Sequence, residues 1–196
     1  MPHSTEIIAH IDGGSRGNPG PAAYGVSIET AQGQPVTAFG KFIGVTTNNF
    51  AEYQGLLACL EYALNHHYQN LRVRTDSELM ARQIAGHYKV RSPDLKPLYD
   101  KAKALISRLE SFSIRHVYRE QNREADRLAN QAMDDAEQGI VLPEPALRAP
   151  APHVPKAAPT KPKPVAATFQ GGVLHPHTQL PLLDGEEVEL EIRRKK

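Results

Sequence analysis

The first clear pattern is the apolar run Ile7-Ile8-Ala9-His10-Ile11, which stops at Asp12 before Gly13-Gly14. A short β-branched run bounded by glycine reads as a buried strand. The cluster Ser15-Arg16-Gly17-Asn18-Pro19-Gly20 reads as a tight turn into a second strand over 22–29. Loose alternation over 36–43, reached through Gly33, predicts a third strand and an antiparallel meander. The period then changes. Phe50, Tyr53, Leu56, Leu57, Leu60 and Leu64 recur at spacings of three and four, so Thr46-Thr47-Asn48-Asn49 opens a long helix to about His66. Leu71 to Thr75 is a fourth strand, ending at Asp76-Ser77, and a helix follows to about Ala85. Ser92-Pro93 carries the signature of a helix start, and that helix runs to about Leu109. A fifth strand covers 112–118, and a last helix runs from Arg123 to about Gln138. The order βββαβααβα predicts an α/β layer fold, a mixed five-stranded sheet with helices on both faces.

The pattern breaks at Val141. Half of the 16 prolines fall between Pro143 and Pro164, among alanines and a few lysines. Such a stretch cannot bury a core and reads as an extended linker over 141–167. Apolar residues return over 168–196, with Val188, Leu190 and Ile192 in strict alternation and turn signals at Gly171-Gly172 and Asp184-Gly185. This is a small β module, too short to be stable alone, which predicts dimerisation or docking. The expected division is a domain over 1–140, the linker, and this module.

Composition narrows the chemistry. The formal charge of the 196 residues is +1, so nucleic-acid binding would have to rest on a local patch rather than on bulk charge. A lone cysteine, Cys59, excludes an internal disulfide and fits a reducing compartment. No apolar run approaches the ~18 residues of a membrane span, and no signal peptide is visible, so a cytoplasmic protein is expected.

Four acidic residues then draw attention, each with an ordinary structural alternative. Asp12, ending the first strand, fits an Asx-type turn. Glu52 fits a capping box with Asn49. Asp76, between strand and helix, fits an N-cap. Asp126 fits a solvated helix face with i,i+4 pairing. Taken together they point elsewhere. Two lie at ends of neighbouring strands and two near helix starts, and four converging carboxylates repel unless cations neutralise them. Hard oxygen ligands suit Mg²⁺ or Mn²⁺, and two such ions can serve phosphodiester hydrolysis.

The segments that carry these residues resemble the motifs of type 1 ribonuclease H, in that family's order, over about residues 5 to 140. They are Asp12-Gly-Gly-Ser-Arg-Gly-Asn-Pro-Gly, Thr46-Thr47-Asn48-Asn49-Phe-Ala-Glu52, Thr75-Asp76-Ser77 and Asn122-Arg-Glu-Ala-Asp126-Arg-Leu-Ala. The resemblance implies a two-metal-ion endonuclease that cuts the RNA strand of RNA–DNA hybrids, leaving 5′-phosphate and 3′-hydroxyl ends. It implies that Asp12, Glu52, Asp76 and Asp126 are its metal ligands, and that Asn18, Thr47 and Asn48 contact the hybrid. Neutral amides and hydroxyls suit a 2′-OH.

Three departures stand out. Glu78 replaces a glutamine-type base contact. The loop before Asp126 is short and holds no histidine, leaving Arg119 as the cation near the leaving phosphate or as a plain exposed charge. The basic protrusion used by many members is missing between Gly86 and Pro97, and lysines of the linker or the Arg193-Arg194-Lys195-Lys196 tail are the replacements at hand. The C-terminal module resembles a small β family of antitoxins, which implies a homodimer and added avidity. Two alternatives therefore remain beside the hybrid-cutting enzyme: a nucleic-acid-binding or toxin–antitoxin protein with a vestigial nuclease fold, and a nuclease of wider range that includes double-stranded RNA.

Overall fold

The computed structural model describes residues 6–140, 167–170 and 173–176. The chain divides into two compact units, Met1–Pro152 and His153–Lys196. In the first, β1 (Glu6–Ser15), β2 (Gly20–Thr30), β3 (Pro35–Thr46), α1 (Asn48–Asn65), β4 (Asn70–Thr75), α2 (Glu78–Ile84), α3 (Lys96–Ile106), β5 (Ser111–His116) and α4 (Arg123–Glu137) follow in the expected order. A single 3-10 turn, Arg119–Gln121, precedes α4. The sheet order is β3-β2-β1-β4-β5. Strands β1 to β3 pair antiparallel, whereas β4 runs parallel to β1 and β5 parallel to β4. A parallel partner needs a return crossing, and α1 supplies it.

Side chains alternate across the sheet. Ile7, Ala9 and Ile11 of β1, with Val26 and Ile28 of β2 and Leu71 and Val73 of β4, pack on Tyr53, Leu56, Leu57 and Leu60 of α1. Helix α3 packs against α1 on that side. The opposite face lies under α4, whose buried residues are Ala125, Ala129, Ala132 and Met133. Small residues there let the helix sit almost on the strands: a Cβ at Gly25 would lie 2.0 Å from the Ala125 carbonyl oxygen, and one at Gly40 2.4 Å from that of Leu128.

Two local expectations are corrected. Strand β1 does not end at Asp12; it continues through Gly13-Gly14 to Ser15, paired with β2. Gly13 has its place in the strand because α1 needs the space: a Cβ there would lie 2.2 Å from the Glu52 amide nitrogen. Helix α3 starts at Lys96 rather than at Ser92-Pro93. Pro97 is the reason, since a helix begun at Pro93 would place a residue without an amide hydrogen inside its second turn. Residues 92–96 instead form a turn closed by the Lys96 N–H on the Ser92 carbonyl at 3.1 Å.

In the second unit, β6 (Ala167–Gln170) and β7 (Val173–Pro176) pair antiparallel with Gln170 opposite Val173. Residues 141–166 of the expected linker, the strands expected beyond residue 180, the basic tail and the dimer contact fall outside the described residues, while Ala167, expected to end the linker, already belongs to β6. No helix among the described residues is long and apolar enough to cross a membrane.

Candidate active site

Strand register does the first part of the assembly. Ile11 pairs with Thr75 in the parallel β1–β4 ladder, so the next residues, Asp12 and Asp76, emerge side by side with their carboxyl groups in hydrogen-bonding reach. Asp12 stays in a strand, opposite Gly25 of β2, so the Asx-turn alternative falls.

Glu52 comes from the second turn of α1. The helix is capped by Thr47, whose Oγ1 accepts from the Phe50 N–H at 3.4 Å, and the capping box with Asn49 is not formed. The Glu52 carboxylate instead accepts from Ser77 Oγ at 2.5 Å and from Asn48 Nδ2 at 3.1 Å. Ser77 also caps α2, accepting from the Met80 N–H at 3.3 Å. That removes the capping role considered for Asp76 and gives the serine two tasks at once. Asp126, in the first turn of α4, accepts from Arg119 Nη2 at 2.6 Å.

The cleft is lined by Asp12, Glu52, Asp76 and Asp126 together with Asn48 and Arg119. Asn18 and Thr47 stand beside it rather than in its lining; Asn18 Oδ1 accepts from the Asn48 amide at 3.2 Å. Glu78 lies outside, exposed and paired with Arg82 at 2.6 Å. Sequence reasoning passed over three residues that organise the site: Ser77, Asn122 and Arg16. Asn122 is buried, and its Nδ2 donates to the Ile11 carbonyl at 2.9 Å and to Asp76 Oδ1 at 3.1 Å. Arg16 ties the β1–β2 turn to Asp134 and Glu137 at the end of α4. All three stand inside the motif segments quoted above, but a serine after Asp76 and an asparagine before α4 look like ordinary caps, and Arg16 like part of a turn.

Burial pushes the Asp12 carboxyl up to about 7, with the neighbouring Asp76 charge acting in the same direction. Burial also pushes Glu52 up to about 7, against the stabilising Ser77 hydroxyl. Among the described residues, no three acidic, histidine or cysteine side chains stand close enough to enclose an ion as they are. Glu52 is held by Ser77 and Asn48, and Asp126 by Arg119. The donor set nevertheless fits a hard divalent cation: it is all oxygen, and burial disfavours the charged forms of Asp12 and Glu52 until a positive charge arrives.

A stability effect follows. Both carboxyls hold protons more tightly folded than unfolded, where they titrate near 4. Their contribution is complete below about pH 4 and is lost as pH rises through 7. In chelator, the melting temperature should fall between pH 5 and pH 8 by several degrees, and Mn²⁺ should restore most of it at pH 8 but little at pH 5. A melting temperature indifferent to Mn²⁺ at both pH values would contradict this.

This strand order, with carboxylates gathered where β1 and β4 part, defines a ribonuclease H-like α/β domain. Residues 10–132 match the family described as "Reverse transcriptase-like". The "Bifunctional protein Rv2228c" of Mycobacterium tuberculosis is 46% identical over 134 residues, which are 68% of this chain and 37% of that protein. The chain thus spans little more than a third of that relative. The crystal structure of RNase H1 from Halobacterium salinarum NRC-1 is 42% identical at a TM-score of 0.65, covering 66% of this chain and 98% of that one. LC11-RNase H1, solved in complex with RNA/DNA hybrid, is 41% identical at a TM-score of 0.64, covering 67% and 99%. The chain belongs to the reverse-transcriptase-like family and, within it, to the type 1 ribonucleases H.

Proposed function

We propose that the protein is a divalent-metal-dependent endonuclease that hydrolyses the RNA strand of RNA–DNA hybrids, leaving 5′-phosphate and 3′-hydroxyl ends. The observation that carries the reading is the convergence of Asp12, Glu52, Asp76 and Asp126 from separate elements on one cleft, with Asp12 and Glu52 pushed up to about 7. Nothing in packing requires so costly an arrangement, which argues against a vestigial site. The hybrid bound to LC11-RNase H1 supports the choice of substrate.

The four carboxylates would hold two Mg²⁺ or Mn²⁺ ions, which when bound supply Lewis-acid chemistry, lowering the pKa of water and stabilising the leaving oxygen. The chain's own residues do the rest. Ser77 and Asn48 fix both oxygens of Glu52. Asn122 fixes Asp76. The Arg119 guanidinium, largely exposed beside Asp126, is placed to meet a phosphate at the open side of the cleft. Asn18 uses its Oδ1 on the Asn48 amide, which directs its amide nitrogen to the role of donor. With Thr47 and Asn48 it offers neutral polar groups for a sugar 2′-OH, the group that tells RNA from DNA.

The test is cleavage of end-labelled RNA–DNA hybrid, double-stranded RNA and double-stranded DNA, each with Mg²⁺, Mn²⁺ or chelator. Metal-dependent cutting of the RNA strand of the hybrid, with intact DNA, is expected. Equal cutting of double-stranded RNA would widen the substrate class, and no cutting with any metal would refute the enzyme.

A further inference from the structure

Asn122 holds together the two strands that deliver Asp12 and Asp76, and its amide is committed on one side only. Both donated bonds leave from Nδ2, to the Ile11 carbonyl and to Asp76 Oδ1. Those acceptors fix the amide orientation, because a flipped group would set an oxygen against two oxygens. Oδ1 is then turned away from the cleft into the protein, fully buried, and among the described residues no group meets hydrogen-bond geometry with it. A buried acceptor without a donor is costly, so a nearby donor is to be sought.

His10 is that neighbour. It lies two residues before Asp12 on the same face of β1, mostly buried. Its ring faces the Asn122 side chain and the Gln121 carbonyl, both acting as acceptors toward it. Its Nε2 lies 3.3 Å from Arg74 Nη1, a group that only donates. Nε2 must therefore accept, and the single proton of a neutral ring sits on Nδ1. The Glu29 carboxylate, 3.8 Å from Nε2, is too far for a hydrogen bond to reverse this.

We propose that His10 is a positioning residue for the active site: its Nδ1–H engages Asn122 Oδ1, locking the amide that fastens the Asp76 carboxylate to the Ile11 carbonyl. The inference rests on the metal-dependent reading above and extends it to a residue that lines no part of the cleft. Partners that orient a ligand carboxylate typically change metal affinity or rate by about 10–100-fold when removed.

The experiment uses the full chain and three proteins: wild type, His10→Phe and His10→Gln. Phe keeps a ring and removes both nitrogens. Gln can donate to Asn122 and accept from Arg74. Mn²⁺ affinity, read by electron paramagnetic resonance of the free ion, should weaken about tenfold in His10→Phe. Its kcat on hybrid should fall to a similar degree with KM for the hybrid unchanged, and His10→Gln should recover both. Native Mn²⁺ affinity in His10→Phe, or equal losses in the two variants, overturns the proposal. Nitrogen-15 spectra of the wild-type His10 ring do not depend on any variant folding: a proton on Nδ1 supports the proposal and one on Nε2 overturns it. A wild-type chain that takes up no Mn²⁺ overturns the nuclease reading itself, whereas normal uptake with an indifferent His10 overturns this step alone.

Discussion

Asp12→Asn should lose hydrolysis of the hybrid by about a thousandfold or more, about 4 kcal/mol of transition-state stabilisation at ~1.4 kcal/mol per decade. The same change should make the metal-free protein more stable at pH 8. The wild-type side chain there is a buried carboxyl beside Asp76, pushed up to about 7; an amide of the same shape removes the charge and the repulsion. A gain of about 1 kcal/mol, or roughly 2–4 °C in melting temperature, is expected for a chain of this size. Opposite signs for activity and stability are the mark of a site held in tension for its chemistry. Steady-state cleavage and thermal melting in chelator check the two halves. Retained activity would remove Asp12 from the machinery, and a large drop in melting temperature would mean that its role is in the fold.

The second large effect concerns a residue with no chemistry at all. A Cβ at Gly25 would stand 2.0 Å from the Ala125 carbonyl oxygen and 2.8 Å from the Ala129 amide nitrogen. Both are backbone atoms of α4, so no rotamer change relieves the clash. The helix would have to move off the sheet, at a cost of about 3 kcal/mol, or roughly 6–12 °C. Because α4 carries Asp126, cleavage should fail at temperatures where the protein is still folded. Gly33→Ala is the comparison. Its φ is +78° but nothing lies within 4 Å of the added carbon, so only backbone strain of about 1 kcal/mol applies. If denaturant unfolding shows equal losses for the two variants, the close helix–sheet contact is not what Gly25 provides.

These two positions also mark what a sequence can and cannot disclose. Asp12 was legible as a candidate because a β-branched run ends on it and its segment resembles a family motif; the other three carboxylates were legible as candidates through the same resemblance. The element order was legible because hydrophobic period changes from near-continuous to three-and-four and back. The reason for Gly13 was not. In the sequence it only bounds a strand; in the structure its space belongs to α1, with a Cβ there 2.2 Å from the Glu52 nitrogen. Glycine records that something approaches but not from where. Ser77 and Asn122 looked like caps because capping is local, and their bonds to Glu52 and Asp76 depend on segments 25 and 46 residues away. The start of α3 was misplaced because Ser92-Pro93 is a valid local signal, overruled by Pro97 further on.

The central place of β1 has a further consequence for how the protein comes into being. Strands β1 to β3 are consecutive and antiparallel, so they can pair as they leave the ribosome. The parallel half must wait for β4 and β5, and the cleft for α4, whose Asp126 comes 114 residues after Asp12 by difference of their numbers. Long-range parallel pairing is slow to form because loops must close before contacts reward them. A nascent or prematurely terminated chain thus carries a partial sheet and an incomplete set of carboxylates. Order of synthesis alone thus delays the assembly of the cleft until its last helix has been made.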